Sequence, residues 1–232
     1  MNTEAATGFL TGSALKWIAL VTMTIDHIGY LLLPDLVILR IIGRITMPIF
    51  AWMIAEGCRY TRNRKKYLGL ILAIAALCQI VYFISDRSLF MCILVTFSMS
   101  IGLIFLFDQT KRSQNDSFPV ALLFYMAAIL VICLLFPKLL HAYGFDVDYG
   151  IGGVFLPFLI YMGKNKNEKL LLCAVGLTFI ALDIGGVQWW AYLSLILLWL
   201  YNGKRGRYSM KYFFYIYYPL HLVVIQGIAW LI

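Results

Sequence analysis

Two stretches decide how this chain reads: MTIDHIGYLLLP (residues 23–34) and RIIGRITMPIFAWMIAEG (residues 40–57). Both are apolar enough for a bilayer, yet together they carry Asp26, His27, Arg40, Arg44 and Glu56. A charged group at the centre of a membrane costs several kcal/mol, on scales that run from about 2.5 to more than 10. Five ionisable side chains in two consecutive apolar segments therefore mark a candidate functional site. Pro34-Asp35 marks the turn between them.

The rest of the chain agrees with a membrane setting. Of its 232 residues, 62% are hydrophobic and 13% charged, against roughly 45–50% and about 25% in soluble domains. Apolar segments recur at 14–34, 36–57, 67–85, 89–107, 118–140, 149–163, 169–186, 189–202 and 212–232. They predict an all-α, polytopic transmembrane helical bundle of about nine spans, one membrane domain over residues 1–232. The sixth and eighth segments are short for a full crossing. Pro48, Pro157 and Pro219 fall within segments and are expected to kink them.

The net charge of +8 does not point to nucleic acid, because no RNP, zinc-ligand or helix-turn-helix pattern accompanies it. Basic residues cluster in alternate loops: Arg59, Arg62, Arg64, Lys65 and Lys66; Lys111 and Arg112; Lys164, Lys166 and Lys169; Lys204, Arg205, Arg207 and Lys211. The intervening loops hold Arg87 and Lys138 with Asp35, Asp86, Asp146 and Asp148. This alternation predicts a multi-pass protein of the cell (cytoplasmic) membrane with its basic loops and N-terminus in the cytoplasm. Trp189 and Trp190 fit an outer interfacial belt. The five cysteines are odd in number, form no CxxC and read as small buried hydrophobes, so neither a disulfide nor a metal site is expected. The first segment is too long for a cleaved leader and carries Asp26-His27, so no signal peptide is expected.

Helical rise sets the depth of the charged groups. His27 lies about 10 Å below the outer turn, and Arg40 and Arg44 about 7 and 13 Å below it. The two arginines are i,i+4 and share a face. An imidazole titrates near pH 6.5 and accepts a proton at neutral pH, and a neighbouring carboxylate can fix its tautomer. Guanidinium groups at the same depth can stabilise an oxyanion or hold a phosphate. General base plus cation is a minimal set for acyl transfer to an amine or hydroxyl. The competing reading is a buried Asp26–arginine pair that only fixes helix packing, with His27 a satisfied core histidine.

Further candidates each carry two readings. Glu56 sits at the inner end of its segment, either at the mouth of a cofactor channel or paired with Arg59 at i,i+3. Asp183 precedes Gly185-Gly186 and either meets substrate or ends a helix. His221 follows Tyr217-Tyr218-Pro219 near mid-membrane; it and Tyr218 are candidate substrate contacts, or His221 is a core histidine. Arg59, Arg62 and Arg64 match the phosphates of coenzyme A, and also simple positive-inside topology.

At these residues the sequence resembles the TraX family of membrane proteins, named for acetylation of the N-terminus of conjugative pilin. LKWIALVTMTIDHIG (15–29), RIIGRITMPIFAWMIAEG (40–57), YTRNRKKY (60–67) and YIYYPLHLVVI (215–225) carry the resemblance, about a quarter of the chain. It implies an integral-membrane acyltransferase using acetyl-CoA or a related acyl-CoA, distantly similar to enzymes that acetylate surface sugars. His27 would then be catalytic with Asp26 its partner, and Arg40 and Arg44 would bind the donor or stabilise the oxyanion. The implied partners are the lipid bilayer, acyl-CoA and a peptide or glycan acceptor, pilin-like peptides included. Two other classes remain open: a proton-coupled transporter using Asp26, His27 and Glu56, and a non-enzymatic assembly subunit.

Overall fold

The computed structural model describes residues 8–112, 117–206 and 211–231. Arg207 of the last basic run lies outside the described residues, as do the side chains of Asp86 and Lys211. The helices are α1 (Gly12–Leu31), α2 (Val37–Gly43), α3 (Thr46–Tyr60), α4 (Arg64–Asp86), α5 (Ile93–Arg112), α6 (Ser117–Leu130), α7 (Phe136–Leu139), α8 (Gly150–Met162), α9 (Lys166–Ile184), α10 (Leu193–Trp199) and α11 (Lys211–Leu231). The described residues form no strand, and their only β features are two isolated parallel bridges, Leu10 with Tyr201 and Met91 with Val147.

Each apolar segment of the sequence is helical, but they are not uniform crossings. Four helical stretches are long and apolar enough to cross a membrane: Val37–Tyr60, Arg64–Ser85, Ile93–Arg112 and Ser117–Leu139. The second segment is broken rather than kinked. α2 ends at Gly43 and α3 starts at Thr46, because Pro48 has no N–H for the carbonyl of Arg44, four residues earlier. The fifth segment holds a π-helical turn, Val131–Leu135, directly before Pro137, which denies a donor to the carbonyl of Cys133. α8 and α11 run on through Pro157 and Pro219. The eighth segment begins as a 3-10 helix, Gly186–Tyr192, and continues as α10. With about 2.0 Å rise per residue in its first half and 1.5 Å in its second, it reaches roughly 25 Å despite its few residues.

The chain forms two compact units, Met1–Met53 with Gly163–Ile232, and Ile54–Met162; the division falls inside α3. In the first unit, α1 and α2 make an antiparallel hairpin packed at two glycines. A Cβ on Gly29 would strike Leu39, and one on Gly43 would strike the carboxylate of Asp26. α1 and α11 run parallel. Trp17 meets Phe213 (5.2 Å between ring centroids), Thr24 meets Tyr217 (2.7 Å between hydroxyls) and His27 meets His221 (4.9 Å between centroids), in the same order along both helices.

One end of this unit is tied together by backbone bonds. Leu10 N–H donates to the Leu200 carbonyl (2.9 Å), Asn202 N–H to Leu10 (2.9 Å) and Gly12 N–H to Lys204 (2.8 Å). Lys166 Nζ donates to the carbonyls of Trp199 and Tyr201. Asn165 caps α9 by accepting from Glu168 N–H (2.8 Å), while the Glu168 carboxylate accepts from Lys164 N–H (2.8 Å). The starts of α1 and α9 and the end of α10 therefore lie together.

In the second unit, Leu103, Ile129, Val147 and Val154 form part of a buried cluster. Asp108 on α5 accepts from Arg64 on α4 and from the Tyr161 hydroxyl on α8 (2.8 Å), joining three helices at one carboxylate.

Candidate functional site

The α1–α2 hairpin converts the charge pattern into one network. Asp26 Oδ2 accepts from Arg40 Nη1 at 2.8 Å, and its Oδ1 and Oδ2 accept from Arg44 Nη2 at 2.6 and 2.9 Å. Arg40 Nη1 also reaches the backbone carbonyl of Asp26 at 3.1 Å, and its guanidinium lies 4.9 Å from the centre of the Tyr30 ring. Arg44 is buried, and its Nε donates to the Arg40 carbonyl at 3.2 Å. Its Nη1 donates to Gln188 Oε1 at 3.3 Å. Gly43 permits this close approach, since any side chain there would occupy the space of the Asp26 carboxylate.

His27 stands beside this network on the α11 side. Its Nδ1 lies 2.8 Å from the carbonyl of Met23. A carbonyl only accepts, so Nδ1 carries a proton, and in the neutral ring Nε2 is the nitrogen that holds the lone pair. His221 repeats the arrangement, with Nδ1 at 3.1 Å from the carbonyl of Tyr217. Its Nε2 is buried with no hydrogen-bond partner in the protein. The two imidazoles meet edge to face, 4.9 Å apart at 85°. Tyr217 stacks on His221 at 5.4 Å and 7°, and Tyr218 meets it edge-on at 5.5 Å. Thr24 donates its hydroxyl proton to the Leu20 carbonyl at 2.9 Å, so in its 2.7 Å contact with Tyr217 the tyrosine is the donor.

The structure thus brings together Asp26, Arg40 and Arg44, and separately His27, His221, Tyr217 and Tyr218. Asp26 was expected to orient His27. The Nδ1 of His27 is instead held by Met23, while Asp26 is engaged by the two guanidinium groups. Asp183 is exposed at the end of α9, just before the left-handed Gly185.

Of the residues expected to hold coenzyme A, Arg44 lies in the first unit, and Glu56, Arg59, Arg62 and Arg64 lie in the second. Glu56 is buried and Arg62 exposed. Arg59 donates to the Tyr161 carbonyl at 2.6 Å and lies over the Tyr161 ring. Arg64, matched to phosphate in the sequence, is bonded to Asp108, a residue the sequence reading passed over. All five cysteines are free and buried, and among the described residues no group of three or more His, Cys, Asp or Glu is placed to hold a metal ion.

A family model described as "TraX protein" matches residues 11–229, which include every residue of the site. The chain belongs to the TraX family. This TraX chain is 27% identical over 240 residues to "Probable fimbrial assembly protein FimC, serogroup H1" of Dichelobacter nodosus, covering 91% of the chain and 92% of that protein. It is 28% identical over 161 residues to an uncharacterized protein of Rickettsia prowazekii (strain Madrid E), covering 68% of the chain and 58% of that protein. No solved structure matches it.

Two site residues escaped the sequence reading. Gln188 is uncharged and sits in GGVQWW (185–190), which reads as a turn and an interfacial belt. Tyr217 was one aromatic among many. The available signal for Gln188 was a lone amide between two glycines and two tryptophans at the start of an apolar segment.

Proposed function

We propose that this TraX chain is an acyltransferase of the cytoplasmic membrane, moving an acetyl or related acyl group from acyl-CoA to an amine or hydroxyl at the outer side. The observation that carries this reading is the histidine pair. Each Nδ1–H is tied to a backbone carbonyl one turn earlier, which leaves the Nε2 of His27 as a neutral base within the membrane segment. The alternative of a proton path is disfavoured at Asp26, whose carboxylate is held by two guanidinium groups.

The acceptor attacks the thioester carbon while its proton passes to Nε2 of His27. The new C–N or C–O bond forms, the C–S bond breaks, and the departing sulfur takes that proton from His27. Met23 keeps the ring in the required tautomer throughout. Arg62, exposed, is the candidate contact in the basic run for the donor's phosphates, since Arg64 is engaged by Asp108 and Arg59 by the Tyr161 carbonyl. The donor is expected from the cytoplasm, on the side of the basic loops. The parallel run of α1 and α11, and the junction of Leu10, Lys166 and Lys204 with the loop after α10, fit an arrangement in which both helices start inside. Similarity to a protein named for fimbrial assembly favours a peptide subunit as acceptor.

Purified protein in lipid vesicles, given radiolabelled acetyl-CoA and candidate acceptor peptides or glycans, should release CoA and label an acceptor. Absence of CoA release with every acceptor would refute the enzyme.

A further inference from the structure

Gln188 is a buried polar residue of the charged hairpin's network to which the reaction above gives no task. It is 1% exposed, in the 3-10 helix Gly186–Tyr192. Its Oε1 accepts from Arg44. A guanidinium has donors only, so this bond fixes which way the amide points: oxygen toward Arg44, NH2 away from it. That NH2 is buried and has no partner in the protein. Leaving a buried donor unpaired costs about 1–3 kcal/mol, so an acceptor from elsewhere would relieve a real penalty. The local charge points the same way, since one carboxylate, Asp26, faces two guanidinium groups. A bare N–H at the end of the chain Asp26–Arg44–Gln188, in a cluster with excess positive charge, suits an oxygen that gains negative charge.

We propose that Gln188 is a catalytic residue that donates its side-chain N–H to the carbonyl oxygen of the bound acyl thioester; this rests on the acyl-transfer reading above. When the acceptor attacks the thioester carbon, the π pair of the carbonyl moves onto that oxygen, and Gln188 holds it there. When the C–S bond breaks, sulfur leaves with the bonding pair and the carbonyl re-forms. Gln188 neither gains nor loses a proton. Arg44 acts through it: Arg44 is bonded to Asp26, the Arg40 carbonyl and Gln188, and polarises the amide whose other end meets substrate.

Gln188→Glu separates this role from that of a brace for Arg44, because it keeps an oxygen for Arg44 and removes both N–H donors. Gln188→Leu removes both functions. Wild type and variants would be compared in nanodiscs for melting temperature, for turnover, and for the infrared carbonyl stretch of bound acetyl-CoA labelled with carbon-13 at the thioester. The expected result is a lowered carbonyl frequency on binding to wild type. In Gln188→Glu that shift should be lost and kcat should fall about 100-fold, with melting unchanged. Wild-type turnover in Gln188→Glu would overturn the proposal and leave Gln188 as a brace. Binding to wild type without a carbonyl shift would overturn this proposal alone. Absence of any acetyl-CoA binding would overturn the donor reading and this proposal with it.

Discussion

Gly43→Ala places one methyl group where the site tolerates none. The added Cβ would fall on Oδ1, Cβ and Cγ of Asp26, whereas ordinary heavy-atom contacts need about 3.5–4.0 Å. α2 must move off α1 or the Asp26 side chain must shift, and either disturbs the Arg44–Asp26 bonds at 2.6 and 2.9 Å. The side chains of Arg44 and Asp26 are only 9% and 16% exposed. Breaking a buried pair leaves an uncompensated charge and costs about 3–5 kcal/mol; the long side chains of Arg40 and Arg44 can follow Asp26 part of the way, which favours about 3 kcal/mol. For a chain of this size that is a melting temperature lower by roughly 6–12 °C.

The control is Gly69→Ala on α4, where a Cβ meets nothing within 4 Å. Relief of glycine's backbone entropy should leave that variant equal to wild type or more stable by about 0.5–1 kcal/mol. Both variants would be melted in the same detergent, followed by tryptophan fluorescence. If Gly43→Ala melted with Gly69→Ala, the close α1–α2 packing and the buried ion network would both be wrong.

Other outcomes follow from single contacts. Tyr217→Phe removes the bond donated to Thr24 but keeps the ring on His221, so thermal unfolding should show a loss of about 1 kcal/mol. Asp108→Asn keeps an acceptor for the Tyr161 hydroxyl and removes the charge facing Arg64. With that pair 22% and 10% exposed, a melting experiment should find about 2 kcal/mol lost, less than for a fully buried pair. The proposed orientation predicts that Arg62→Cys reacts with a membrane-impermeant maleimide only from the cytoplasmic side and Asp35→Cys only from outside. The native cysteines, all buried, should add little background.

The hairpin was legible in the sequence because charge in an apolar segment is rare and helical rise is fixed. Rise alone puts His27, beside Asp26, at a depth between Arg40 and Arg44. What it could not assign is the pairing. Asp26 has one carboxylate, and two guanidinium groups in a poorly hydrated setting need it more than a neutral imidazole does; His27 is satisfied by the carbonyl of Met23. The break at Arg44 is implicit in Pro48, and the π-helical turn before Pro137 follows the same rule. The 3-10 stretch that begins the eighth segment leaves no comparable mark in composition. Neither does the contact of Gln188 with Arg44, a guanidinium 144 positions away in the chain. The basic run over residues 59–66 is one patch in the sequence, but Asp108 takes Arg64 out of it.

The most direct test is the initial rate of CoA release from acetyl-CoA by wild type and by His27→Ala, in the same nanodiscs and with the same acceptor, after matched melting curves show both variants folded. The account predicts turnover in wild type and loss of about 100-fold or more in His27→Ala, the scale of a missing general base. Equal release from the two proteins would contradict it.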